Sequence, residues 1–144
     1  MTPVFNLLRV KDCETDSIVM TIDNVYIPPM YIHWSDNSRY AEIFTGDKYF
    51  SDVEVLDVQK KCIIKLPEAD DILNWINYEL DEQLYVNWSE KYTIGWKSAY
   101  QIIICIPMDI AERGSDKVKE KIIAQYIYNL DAREIIEVEI DKYI

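Results

Sequence analysis

The stretch PEADDILNWINYELDE, residues 67–82, marks a change in the hydrophobic pattern from strand spacing to helix spacing. Pro67 suits the first turn of a helix, where its missing N–H group leaves no hydrogen bond unmade. Acidic residues follow at once, and negative charge is stabilising near a helix N-terminus. Apolar residues then recur at helical spacing, namely Ala69, Ile72, Leu73, Ile76 and Leu80. The stretch therefore predicts a helix over residues 68–82.

The residues before this stretch predict β-strands. Runs rich in Val, Ile, Tyr, Phe and Thr alternate with turn signals, which are CETDS at 13–17, SDNS at 35–38 and GD at 46–47. The predicted strands cover 3–10, 17–26, 30–34, 39–45 and 52–66, the last broken near Lys60. Pro28 and Pro29 cannot lie in a central strand, so we expect an edge or a corner there. The first 66 residues therefore predict an antiparallel meander.

After residue 82 the pattern predicts strands again, with one more helix. Residues 84–88 and 92–96 are short and aromatic, and predict a hairpin over the intervening SEK turn. The most apolar run, YQIIICI at 100–106, predicts a central strand that ends at Pro107. A capping Ser115 precedes apolar residues at helical spacing and predicts a helix over 115–130. These residues are Val118, Ile122, Ile123, Tyr126, Ile127 and Leu130.

The last segment, EIIEVEIDKYI, alternates Ile and Val with Glu and Asp, and predicts a half-buried strand with an acidic outer face. Taken together, the patterns predict one α+β domain over residues 1–144. It would be a mostly antiparallel sheet with about two helices packed on one face. The final strand–helix–strand order is also compatible with a crossover that joins a parallel pair. A chain of 144 residues is near the common size of one domain.

The net charge of −11 narrows the classes of partner. Nucleic acids and anionic membranes repel such a chain, so we expect no direct binding to nucleic acid and no binding to membranes. A basic protein is the favoured partner. The one basic cluster, Lys117, Lys119 and Lys121, is interleaved with acidic residues. No apolar stretch approaches the length of a membrane span. Three scattered cysteines and the absence of a secretion signal predict a reducing, cytoplasmic location.

The sequence predicts no catalytic site, cofactor or metal. Its single histidine, His33, is expected to be a packed or rim imidazole, and the adjacent Ser35 and Asp36 do not make a triad by adjacency alone. The acidic stretch KDCETDS at 11–17 is faintly similar to a calcium loop, but Ser17 stands where such a loop requires Gly. A small enzyme that uses carboxylates and His33 stays an alternative.

The clearest functional signal is the segment 68–90, which holds seven acidic and four aromatic residues and no Lys or Arg. On a helical wheel, Asp71, Trp75, Tyr78 and Glu82 form a stripe opposite the apolar one. The predicted partner-binding residues are Asp70, Asp71, Trp75, Tyr78, Asp81 and Glu82. The alternative is that the 84–96 hairpin covers Trp75 and that the carboxylates are simply solvated.

These residues lead to the hypothesis of a small acidic inhibitor that neutralises a basic, nucleic-acid-acting protein by occlusion. Carboxylates can pair with Arg or Lys, and Trp and Tyr are enriched at binding hot spots. An immunity protein to a nuclease toxin is the most concrete version, and a phage or viral inhibitor of a host defence complex fits the same residues. A structural subunit that forms homo-oligomers is a further alternative. A second acidic row, Glu137, Glu139 and Asp141, could extend the surface or protect an edge strand.

Overall fold

The computed structural model describes residues 6–25, 32–45 and 51–143, and the chain divides into two compact units, residues 1–65 and 66–144. Strands account for 60% of the described residues. They form three antiparallel sheets, and the described part of the chain contains one short helix. The predicted α+β fold with two helices on one face of a sheet is therefore wrong. The single domain over residues 1–144 stays a prediction.

The first unit contains two sheets. Strands β1 and β2 form a hairpin, and β3 to β6 form an antiparallel meander in sequence order. Their bounds are β1 Asn6–Lys11, β2 Ile18–Val25, β3 Ile32–Trp34, β4 Tyr40–Phe44, β5 Val53–Asp57 and β6 Cys62–Lys65. The predicted break near Lys60 is confirmed, because a turn separates β5 from β6 and Lys61 has a positive φ of 55°. Pro28 and Pro29 lie outside the described residues.

One hydrophobic core joins the hairpin to the meander within the first unit. Its buried members come from β2, β4 and β5 and are Met20, Ile22, Ala41, Ile43 and Leu56. Half-buried Leu8 and Val10 of β1 and Ile32 of β3 pack against it. The alternation of apolar residues in these short strands thus buries one face of each sheet against the other.

The second unit is one antiparallel sheet and a short helix, α1. Its bounds are α1 Ala69–Trp75, β7 Leu84–Ser89, β8 Tyr92–Ser98, β9 Gln101–Glu112, β10 Val118–Asn129 and β11 Glu134–Tyr143. The strand order is β11-β10-β9-β7, and β8 also pairs with β9. The predicted hairpin over 84–96 is wrong, because both of its strands pair with β9 and not with each other. The central strand also continues through Pro107 to Glu112.

The predicted helix over 115–130 is strand β10, and this replaces the possible parallel crossover by an antiparallel meander. Every second residue of β10 is buried, from Ile122 through Ala124 and Tyr126 to Tyr128. Ile123 lies on the other face and is 39% exposed. Ile122 and Tyr126 fit both a helical spacing and this period of two. Hydrogen bonds to β9 and β11 pair the backbone of β10 on both of its edges.

The predicted final strand is confirmed as β11, with Glu137, Glu139 and Asp141 exposed. Its expected buried face is wrong in part, because Ile136 and Ile140 are 41% and 37% exposed and Val138 is half-buried.

Helix α1 spans only seven residues, so the predicted helix over 68–82 is too long. It begins with a capping box, in which Asp71 Oδ2 accepts a 2.8 Å hydrogen bond from the Glu68 N–H. It ends because Asn77 adopts a left-handed conformation with φ of 56°. The Tyr78 N–H then bonds to the Leu73 carbonyl, which is the Schellman pattern of a helix C-terminus.

Two side chains of the sheet fix the segment that leads into α1. The Lys91 ammonium, only 3% exposed, donates to the Leu66 carbonyl at 3.2 Å and to Glu68 Oε1 at 2.7 Å. The Tyr126 hydroxyl donates to the Pro67 carbonyl at 3.0 Å. Because these bonds hold consecutive residues, the start of the helix has a defined position on the sheet.

Candidate functional site

The end of α1 at Trp75 separates the six residues of the predicted binding surface. Trp75 is on the helix and is 48% exposed. Asp71 is also on the helix, but its carboxylate serves the capping box. The other predicted residues beyond Asn77 lie in the loop that leads to β7, so the stripe at helical spacing does not form. Trp75 is therefore available to solvent, but not as part of a continuous helical stripe.

An open cleft of about 460 Å³ brings three of the predicted carboxylates together. Asp70 comes from the first turn of α1, whereas Asp81 and Glu82 come from the loop before β7. The described residues that line it are Asp70, Leu80, Asp81, Glu82, Leu84, Tyr85, Val86 and Arg113. The cleft thus has three carboxylates, one guanidinium, one phenol and three aliphatic side chains. We call it the acidic cleft.

Local hydrogen bonds hold the wall of the acidic cleft that carries Asp81 and Glu82. Asp81 Oδ1 accepts from the Gln83 N–H at 3.0 Å, and the Asp81 carbonyl accepts from the Leu84 N–H at 2.8 Å. These bonds make a tight turn, for which Asp is well suited. The Gln83 carbonyl in turn accepts from the Arg113 N–H at 2.7 Å. The wall is therefore fastened to the end of β9.

The charges of the acidic cleft are only partly compensated. Within the described part of the chain, the carboxylates of Asp70 and Glu82 make no ion pair and no hydrogen bond. Arg113 is the one cation among the lining residues, but its Nε donates to the backbone carbonyl of Glu82 at 3.2 Å. Its guanidinium lies 5.2 Å from the centre of the Tyr85 ring. The cation thus supports the wall and leaves both carboxylates available to a ligand.

Tyr85 links the acidic cleft to the carboxylate of Asp116. Its hydroxyl donates a hydrogen bond to the carboxylate of Asp116, in the turn between β9 and β10. This bond raises the pKa of Tyr85 above its ordinary value, because ionisation would place two negative charges side by side. The phenol therefore stays neutral and acts as a hydrogen-bonding wall of the cleft, not as a proton donor near neutral pH.

Tyr78 does not line the acidic cleft. Its hydroxyl donates to Glu120 Oε2 at 2.8 Å, and Glu120 Oε1 lies 3.0 Å from the ammonium of Lys142. The same ammonium lies 5.6 Å from the centre of the Tyr78 ring. The bond from Lys142 lowers the pKa of Glu120, and the Tyr78 hydroxyl adds to this effect. Through these contacts, Tyr78 connects the loop after α1 to strands β10 and β11.

The residues considered for catalysis do not assemble into a triad. His33 Nδ1 lies 3.0 Å from Glu42 Oε2, while the Ser35 hydroxyl donates to Asn37 Oδ1 at 2.7 Å. Asp12, in the segment compared with a calcium loop, accepts the N–H groups of Glu14 and Thr15 within a turn. Among the residues that the structure describes, no group of three or more His, Cys, Asp or Glu side chains could hold a metal ion.

Comparison of the chain with protein-family models, with curated proteins and with solved structures gave no match. No helix within 6–25, 32–45 or 51–143 is long and apolar enough to cross a membrane.

The predicted binding residues include neither Arg113 nor Tyr85, the two polar lining residues of the acidic cleft that are not carboxylates. Arg113 follows a central strand, and its role depends on the β9–β10 hairpin, which the predicted helix over 115–130 did not allow. Tyr85 belongs to the acidic, aromatic segment 68–90, whose composition indicated a binding surface. Its bond to Asp116, however, joins residues 31 positions apart. Only the strand pairing brings these side chains to the carboxylates.

Proposed function

We propose that this protein is an inhibitory binding protein whose acidic cleft receives basic side chains of a partner protein. The observation that carries the proposal is the pair of solvent-accessible carboxylates, Asp70 and Glu82, that line one cleft and have no partner among the described residues. Asp81 adds a third carboxylate. A Lys or Arg side chain that entered the cleft would gain charge-assisted hydrogen bonds, and an Arg could bind a carboxylate in a bidentate manner.

Two further features support a protein as the ligand. Trp75 exposes about half of its surface on the helix that also carries Asp70, and an exposed Trp is the residue type most enriched at binding hot spots. The aliphatic side chains of Leu80, Leu84 and Val86 line the same cleft. They offer apolar contact to the methylene groups of a Lys or Arg stem, which often covers apolar surface.

The partner that best fits this surface is a basic, nucleic-acid-acting protein. Such a protein presents Arg and Lys side chains to phosphates, and carboxylates at a rigid cleft can occupy the same side chains. Inhibition would then follow from occlusion of the nucleic-acid site, and no catalytic group is needed. Immunity to a nuclease toxin and phage inhibition of a host defence complex are the two versions of this proposal. The three scattered cysteines suit the reducing cytoplasm in which either would act.

The proposal is tested by capture of partners from the native host with three forms of the tagged chain. The forms are the wild type, Asp70→Asn with Glu82→Gln, and Glu137→Gln with Glu139→Gln. The last pair removes the same charge from exposed residues of β11, at the opposite edge of the sheet from β7. A basic protein that the wild type and the β11 variant retain, and the cleft variant loses, supports the proposal. Retention by all three forms contradicts it.

The captured protein must also be inhibited. Purified wild-type chain is expected to block the partner's nucleic-acid binding or cleavage at a stoichiometry of one to one. The association should weaken as salt increases, because the attraction depends on exposed charges. A partner that keeps full nucleic-acid activity in the complex would contradict occlusion.

A further inference from the structure

A second cleft, of about 240 Å³, lies entirely within the first unit and differs in chemistry from the acidic cleft. Most of its described lining residues are apolar, and the charged ones among them are cationic. The lining residues are Leu8, Arg9, Val10, Lys11, Ile32, Trp34, Ala41 and Leu56. We call it the cationic cleft. It is formed by β1 on one side and by β3, β4 and β5 on the other.

The floor of the cationic cleft belongs to the hydrophobic core. Trp34 pairs with Ala41 across β3 and β4, and Ala41 pairs with Leu56 across β4 and β5. Directly paired residues point to the same face of a sheet, so these three side chains form one apolar row. Ala41 and Leu56 are buried, whereas Trp34 is 45% exposed at the end of the row. Trp34 is therefore the member of the row that an apolar ligand can contact from solvent.

The mouth of the cationic cleft is positively charged. Arg9 makes no ion pair or hydrogen bond within the described residues, and Lys11 lies 3.7 Å from the exposed carboxylate of Asp16. Among the residues that the structure describes, no carboxylate lines the cleft.

We propose that the cationic cleft binds a small aromatic acid, a ring system that carries one carboxylate. The ring would stack against the exposed part of the Trp34 indole at the end of the apolar row, and the carboxylate would pair with the Arg9 guanidinium. The volume is below the range of drug-sized ligand pockets, which favours one or two fused rings. The net charge of the chain opposes anions at long range, but screening over about 8 Å at physiological salt leaves the local cations dominant.

The test is an NMR titration of the full chain with 2-naphthoate and with 2-naphthamide, which has a similar shape and no charge. We expect 2-naphthoate to shift the backbone amide signals of Trp34, Ala41 and Leu56. It should bind at least about tenfold more tightly than 2-naphthamide, because only the carboxylate can form a charge-assisted hydrogen bond with Arg9. Equal affinity for the two compounds, the absence of 2-naphthoate binding, or shifts confined to other residues would each overturn the proposal.

Matched variants test the role of Arg9. Arg9→Gln is expected to reduce the affinity for 2-naphthoate to that for 2-naphthamide, without changing the affinity for the amide. Lys65→Gln removes the same charge from an exposed residue of β6 that does not line the cleft, and should leave both affinities unchanged. An equal effect of the two substitutions would show that only net charge matters and would overturn the site. The comparison of the two compounds on the wild type does not depend on the variants.

Discussion

Arg113 Nε donates a hydrogen bond of 3.2 Å to the backbone carbonyl of Glu82, while the carboxylate of Glu82 has no partner among the described residues. The one cation of the acidic cleft thus stabilises the backbone of an acidic residue without neutralising its side chain. This arrangement keeps the cleft both ordered and negatively charged. It also means that the shape of the cleft and its charge can be changed by different substitutions.

Replacement of Arg113 by Ala is expected to loosen the wall of the acidic cleft. The lost hydrogen bond and ring contact should make amide hydrogen exchange at residues 82–86 faster by about fivefold, the equivalent of one ordinary hydrogen bond. Lys97→Ala, at another exposed cation of the same unit, is the control and should leave exchange in 82–86 unchanged. Identical exchange in wild type and Arg113→Ala would show that backbone bonds alone hold the wall.

Lys91→Met should lower the free energy of unfolding by about 2 kcal/mol, because it removes the ammonium that donates to the buried carbonyl of Leu66. Urea denaturation measures this change. Glu68→Gln is the matched control, since Glu68 is mostly exposed and a Gln still accepts the bond from Lys91. We expect the control to cost about 0.5 kcal/mol or less. An equal cost for both substitutions would contradict a role for the buried ammonium.

Asp71→Ala is expected to destabilise the chain by about 1 kcal/mol, because it removes half of the capping box of α1. Asp71→Asn should cost less, since its amide oxygen can still accept from the Glu68 N–H. Thermal or urea unfolding separates the two. A variant Asp71→Asn that keeps its stability and loses partner binding would instead assign Asp71 to the contact surface, as the sequence pattern predicts.

The carboxyl group of Glu120 makes the free energy of unfolding depend on pH in the acidic range. Its folded pKa lies below the ordinary value of 4.5, chiefly because Lys142 donates a hydrogen bond to its carboxylate. Its contribution is therefore present above about pH 4.5 and is lost as the pH falls through the depressed pKa. Glu120→Gln should remove this part of the acid dependence, so that the free energy of unfolding falls less steeply below pH 4.5 than in the wild type. Parallel curves for the two forms would contradict the assignment.

The strands of the first unit and the last strand could be predicted because their apolar residues alternate between clear turn signals. Strand β10 could not, because Ile122, Tyr126 and Leu130 satisfy both a helical spacing and a period of two. The buried Ala124 and Tyr128 show which period holds. What decides between them is pairing with β9 and β11, which is non-local and carries no signal within the segment itself.

The candidate site was predictable in composition but not in geometry. Asp70, Asp81 and Glu82 meet at one cleft because α1 ends at Trp75 and the chain turns back, whereas a helix over 68–82 would have spread them along a stripe. The termination depends on the left-handed Asn77, a residue type that tolerates this conformation but does not require it. The role of Arg113 depends on a hairpin that the local pattern did not show.

The most direct test of the central claim is the dissociation constant between the captured basic partner and three forms of the chain at physiological salt. Asp70→Asn with Glu82→Gln is expected to weaken binding by about tenfold or more, because two charge-assisted contacts are lost. Glu137→Gln with Glu139→Gln should leave the constant unchanged. An equal loss in both double variants would attribute the attraction to net charge, and no loss in either would exclude the acidic cleft as the binding site.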